Sequence, residues 1–125
     1  MRHNVAGYKL GRTGGARNAL RRNLIRQLFT HERIRTTRAK AAAIRGEAEK
    51  IITIARNSAN GTDAEKVAAR RLVVTKLGDN HILKRVFDEI GPRFANRNGG
   101  YTRVMKLGPR MGDSAEMVML ELIEE

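Results

Sequence analysis

The sequence contains no cysteine, which excludes a disulfide framework and any thiolate-held zinc site and is compatible with a reducing compartment. Tryptophan is also absent, and only five residues are aromatic: Tyr8, Phe29, Phe87, Phe94 and Tyr101. The core must therefore be built from Ile, Leu, Val, Met and Ala. Long apolar runs are missing, because charges interrupt each one after a few residues, and nothing resembles a signal peptide. A soluble, intracellular chain without a membrane partner is expected. Negative charge is missing from one end as well. Seven Lys and Arg residues precede the first carboxylate, Glu32.

What is present fits one modest domain. The chain has 125 residues, 41% hydrophobic and 30% charged, with a formal net charge of +12. Such a molecule repels itself unless a polyanion neutralises it. The excess is concentrated: residues 1–45 carry 12 cations against 1 acid, residues 46–90 carry 8 against 7, and residues 91–125 carry 5 against 5. A solvated helix surface would mix the signs, so this asymmetry points to polyanion binding at the N-terminal end. The acidic tail "ELIEE" is expected to lie away from a phosphate surface.

Residues 1–15 hold four glycines and little apolar content, and read as a basic arm that cannot bury enough surface on its own to offset its ordering entropy. Residues 16–125 read as a single α+β domain. Helical spacing begins near Ala16, with Leu20, Leu24 and Leu28 in one row beside Ile25 and Phe29; Arg22, Asn23 and Arg26 fall opposite. Arg21 is phased inside the apolar arc, where it either snorkels past the core or belongs to a binding face. "ERIRTT" (32–37) suits a short strand, with Thr36 or Thr37 capping the next helix. In that helix Ala41, Ile44, Ala48, Ile51 and Ala55 keep a three-four spacing, and "NSANG" ends it. A third helix is expected from Thr62, with Glu65 completing a capping box, burying Val67, Leu72, Val74 and Leu77 and stopping at Gly78. A fourth runs from Asp79 or Asn80 to Ile90, closed by Gly91-Pro92. The period then becomes alternating, and "YTRVMKL" (101–107) and "MVMLELI" (117–123) read as a two-stranded hairpin. The fold class is α+β: one helix, a short strand, three helices, then the hairpin, with helices packed on one face of a small sheet.

Catalysis finds no support. His3, His31 and His81 lie in separate segments. "HE" at His31-Glu32 lacks the second histidine of a helical zinc site, and His31 suits a helix C-terminus. "GRTGG" lacks the lysine and spacing of a P-loop. No metal, cofactor or small-molecule substrate is expected. Anion recognition has three supports. The first is the arm and first helix, with Arg2, His3, Lys9, Arg12, Arg17, Arg21, Arg22 and Arg26, suited to phosphate rather than base contacts. The second is "RIRTTRAK" (33–40), where a helix N-terminus at Thr36 and Thr37 is surrounded by Arg35, Arg38 and Lys40. The third is "RFANRNGGYTR" (93–103), where Arg93, Arg97 and Arg103 surround Gly99, Gly100 and Tyr101. The glycines allow close backbone approach and the tyrosine could stack on a base. A plain glycine turn leading into the hairpin is the alternative reading, and the two can both hold. A DNA-binding helix-turn-helix is a rival, since helices three and four are joined by a short Gly-Asp turn. Their near balance of charge leaves no basic reading face.

Several strings carry a family resemblance: "MRH" at the start, "RN" at Arg22-Asn23, "HERIRTT" at 31–37, "IT" at Ile52-Thr53, "IGPRF" at 90–94, "GGYTR" at 99–103, and "GD" with "ELIEE" near the end. In order and over essentially the whole chain, they resemble the bacterial large-subunit ribosomal protein family conventionally numbered seventeen. The chain departs from many relatives at Asn4-Val5, where they carry a basic pair, and at Ala16-Arg17, where they place a histidine before the arginine. Residues 57–80 carry little of the resemblance. It implies an α+β domain bound to large-subunit ribosomal RNA beside neighbouring ribosomal proteins, on the outer side of the subunit near the peptide exit, in the cytoplasm and without catalytic activity.

Overall fold

The computed structural model describes residues 10–78 and 80–124. Helix α1 spans Gly14–His31, strand β1 Arg33–Thr37, helix α2 Arg38–Ser58 and helix α3 Asp63–Leu77. A fourth helical segment, α4, follows in three consecutive pieces: an α-turn Leu83–Arg85, a π-helical stretch Val86–Ile90 and a turn Gly91–Arg93. Strands β2 (Thr102–Pro109) and β3 (Glu116–Leu122) complete the α+β fold. Helix α1 starts at Gly14, so the last two residues expected in the arm belong to the helix. Residues 1–9, the rest of that arm apart from 10–13, lie outside the described residues.

The caps are locally encoded. The Thr37 hydroxyl accepts from the Lys40 N–H and the Thr62 hydroxyl from the Glu65 N–H, each satisfying one of the amides that a helix start leaves open. Of the two threonines that could cap α2, Thr37 does so. Gly78, at φ 69°, closes α3 in the left-handed conformation that glycine adopts without a Cβ penalty.

The sheet is antiparallel with order β1-β3-β2, so the early strand β1 zips onto the final strand β3 and ties the two ends of the domain together. Ile34 and Thr36 of β1 face the same side as Val118, Leu120 and Leu122 of β3, and all five are buried. This side packs on the helices. Ala41, Ile44, Ala48, Ile51 and Ala55 of α2 are all buried, as their spacing requires, and join Ile25, Leu28 and Phe29 of α1, Val86, Ile90 and Phe94 near α4, and Tyr101 in one cluster. The other side of the sheet carries Arg33, Arg35, Arg103, Met105 and Met119.

Two expectations fail. Helix α3 buries Val73 and Leu77, while Val67 and Leu72 remain 47% and 48% exposed. It lies on the domain along a narrow line rather than a broad stripe. Gly91-Pro92 does not end the fourth helix either. The Gly91 N–H bonds to the Val86 carbonyl five residues back, and this wider turn accommodates a proline ring that would clash with the carbonyl four residues back in a regular helix. Gly91 also permits close packing on α2, since a Cβ there would stand 3.1 Å from the Ala55 Cβ and 3.2 Å from its carbonyl carbon.

Candidate nucleic-acid interface

Twenty-five cations are too many for thirteen acids, and the fold decides which remain uncompensated. The most connected acid is Glu32. It follows α1 in the left-handed conformation, φ 67°, with its N–H on the Leu28 carbonyl. A non-glycine residue there costs about 1–2 kcal/mol, and its side chain is held from two sides. Arg93 donates to Oε1 at 2.5 Å and Arg85 to Oε2 at 2.6 Å. Arg85 also donates to the Phe29 carbonyl at 2.6 Å and to Glu89 at 2.9 Å. The Leu122 N–H bonds to the Glu32 carbonyl at 2.8 Å. One residue thus joins α1, α4 and β3. The Arg93 hydrogen bond and the charges of Arg93 and Arg85 outweigh partial desolvation and hold the Glu32 carboxyl below its usual range. The same contact raises Arg93.

Other expected RNA ligands are likewise engaged. Arg21, phased inside the apolar arc, reaches Glu47 at 3.0 Å and the Ala43 carbonyl at 3.5 Å, so it is turned toward α2. Its Nε is buried without a partner. Arg103 donates through Nε to Glu121 at 2.7 Å and pairs with it again through Nη2. Arg38 stands 3.5 Å from Glu116, so the helix start expected to meet phosphate already has a carboxylate beside it. Thr36 is 7% exposed and faces the core, which removes its hydroxyl from any surface contact.

Tyr101 cannot stack on a base. It is 1% exposed, tilted against Phe94 with ring centroids 5.0 Å apart, and its hydroxyl lies 3.2 Å from Thr53 Oγ1 and 3.1 Å from Arg56 Nη1. Arg56 also donates to the Arg97 carbonyl at 2.9 Å and to Asn98 Oδ1 at 3.1 Å. It therefore organises the turn at Gly99 (φ 146°) and Gly100 (φ 61°), whose carbonyl receives Arg97 Nε at 3.2 Å. The glycine turn leading into the hairpin is the reading that describes this segment.

A second group of cations has no carboxylate against it among the described residues. Arg12 bonds only to the Leu10 carbonyl at 2.7 Å. Arg17 and Arg22 on α1 make no ion pair, and Arg22 rests its stem along the turn at Gly78, 3.6 Å from the position a Cβ would take there. Arg35 projects from the exposed side of β1, and Lys40 lies one turn beyond it on α2. Arg26, half-buried on α1, is not one of this group. Arg2, His3 and Lys9 lie outside the described residues.

Glu32, Arg85 and Arg56 are the structural residues that the sequence reading missed. One signal was available for the first: a single acid among twelve cations is a natural internal anchor. Among the described residues, no group of three His, Cys, Asp or Glu could hold a metal ion, and no helix is long and apolar enough to cross a membrane.

Together, the fold and charge map define a small basic α+β protein whose first helix carries four arginines and no acid. The chain belongs to the family described as ribosomal protein L17, whose model matches residues 20–123. It is 46% identical over 119 residues to the large ribosomal subunit protein bL17 of Desulfitobacterium hafniense (strain DSM 10664 / DCB-2), covering 95% of this chain and 100% of that one. The bL17 proteins of Solibacter usitatus and Geobacter sulfurreducens are 46% and 44% identical, covering 98% and 100% of this chain and 77% and 67% of theirs.

Proposed function

We propose that this chain is a structural constituent of the large ribosomal subunit in the cytoplasm, binding large-subunit ribosomal RNA and stabilising its folded form. Membership of the L17 family supports this assignment. The observation that carries the RNA contact is the helix α1, which holds four arginines and no acid in its 18 residues. The binding groups are Arg12, Arg17, Arg22 and Arg26, Arg35 and Lys40 beyond them, and the arm residues Arg2, His3 and Lys9. Arg97 and the Gly99-Gly100 backbone add a smaller contact. Neutralisation of phosphates and release of their counterions drive the association, and the arm orders as it binds. Neighbouring large-subunit proteins are its other partners. No turnover is involved, and no small molecule is bound.

Sedimentation of a cell lysate is the direct test. The tagged protein should comigrate with the large subunit and persist through a moderate salt wash. Recovery with chromosomal DNA or in the free fraction refutes the assignment. With about eight cations on phosphate, isolated binding should weaken with salt at a log–log slope on the order of −6 to −7. A slope near −1 contradicts the extended contact.

A further inference from the structure

We propose that the exposed side of α1 lies in the minor groove of a double-stranded RNA segment, with Asn23 and Gln27 on base edges and 2′-hydroxyls. This rests on the RNA-binding reading and specifies which RNA form the helix meets.

Three observations converge on it. First, Ala19, Asn23 and Gln27 follow one another at four-residue steps along the exposed side of α1, a row about 12 Å long. Neither amide side chain bonds to another described residue, and Ala19 keeps the upper part of the row low. Arg22 and Arg26 run along one flank. A solvated row of amide donors and acceptors with cations beside it matches a groove edged by phosphates.

Second, no carboxylate lies on this helix. The face is complementary to a polyanion over its whole length, rather than to a protein surface of mixed sign.

Third, among the described residues no aromatic ring is free to stack an unpaired base. Sequence-specific recognition of single-stranded RNA stacks bases on aromatic rings or on guanidinium planes. Phe29, Phe94 and Tyr101 are buried, and Phe87 is partly buried with the Arg70 guanidinium 4.8 Å over its ring. Among the described residues, no aromatic ring stands open. Duplex RNA is recognised instead by shape and by 2′-hydroxyl and phosphate contacts. Its major groove is too deep and narrow for side chains to read, whereas its minor groove is wide and shallow. A helix whose crest is alanine and amides fits the second.

The absence of cysteine makes the test clean, because a single introduced thiol is the only attachment point for a tethered iron–EDTA cleaving group. The full chain carrying Asn23→Cys, or separately Gln27→Cys, is bound to in vitro transcribed large-subunit ribosomal RNA and cleavage is mapped. Minor-groove placement yields paired cuts on both strands of one duplex, each displaced toward the 3′ side. Cuts confined to unpaired nucleotides, cuts on one strand only, or no cuts in a bound complex overturn the proposal. Failure of the unmodified chain to bind this RNA removes the RNA-binding reading itself and this inference with it; filter binding reads that outcome separately. Asn23→Ala and Gln27→Ala favour helix formation, so folding is preserved. Each should weaken RNA binding by about fivefold without changing the salt slope. Unchanged affinity in both also overturns the proposal.

Discussion

The arginines of α1 and those around Glu32 are the same side chain used in opposite ways. Arg85 and Arg93 converge on one carboxylate and hold the end of α1 against α4 and β3. Arg17 and Arg22, earlier on α1, make no ion pair among the described residues. The first pair is consumed by the fold, and the second is the pair proposed above to meet RNA. Counting cations therefore overstates the charge a protein offers: Arg21, Arg38, Arg93 and Arg103 all sit in basic strings, and all four are engaged with acids. The acids that engage them come from as far as 78 positions along the chain.

Substitutions should separate the two uses. The largest effect is expected at Tyr101, the aromatic that belongs to the structural side. Tyr101→Ala removes a fully buried ring and should cost about 3–5 kcal/mol in chemical denaturation. Tyr101→Phe should keep RNA affinity unchanged, and a loss of affinity in that folded variant would return the residue to the interface. An intermediate effect is expected at Glu32. Glu32→Gln weakens two partly exposed ion pairs and should cost about 1–2 kcal/mol. The native carboxyl titrates below its unfolded value of 4.5, so its stabilising contribution is present above that pH and is lost as pH falls through the lower folded value. The difference between wild type and Glu32→Gln should accordingly narrow below pH 4.5. A difference that stays constant to lower pH would show that the charge of Glu32 is not what holds the joint. The smallest effect on stability is expected for the double variant Arg17→Gln and Arg22→Gln, within about 0.5 kcal/mol of wild type. Its RNA affinity should nevertheless fall and its salt slope become shallower by about 2. A thermal shift without a binding change would place these two arginines with the structural group.

Local chemistry was legible in the sequence. The three-four spacing of α2, the threonine caps at 37 and 62, and the alternation of Val118, Leu120 and Leu122 each depend on neighbours within a turn or a strand, and each appears as expected. The charge asymmetry also located the helix that carries four arginines and no acid, though one of the four, Arg21, turns to Glu47. What was not legible depends on distant partners. Tyr101 sits beside two glycines and several arginines, and nothing in that string reveals Thr53 and Arg56 waiting 48 and 45 residues earlier. Val67 and Leu72 looked like core because their spacing is helical, yet spacing does not reveal how wide a strip the neighbours cover. Pairing of β1 with β3 closes the sheet across most of the chain and leaves no local trace.

The widened turn in α4 has a consequence for chain length. A π-helical turn is equivalent to one additional residue spliced into an ordinary helix, and each residue advances the direction of the side chains by about 100°. Arg93 and Phe94 follow that turn, so the bearing on which the guanidinium meets Glu32 and the ring meets Tyr101 is set by a count of residues. Removing one residue between Val86 and Ile90 would keep the composition nearly intact while swinging both side chains away from their partners. At this point of the molecule, spelling is forgiving and arithmetic is not.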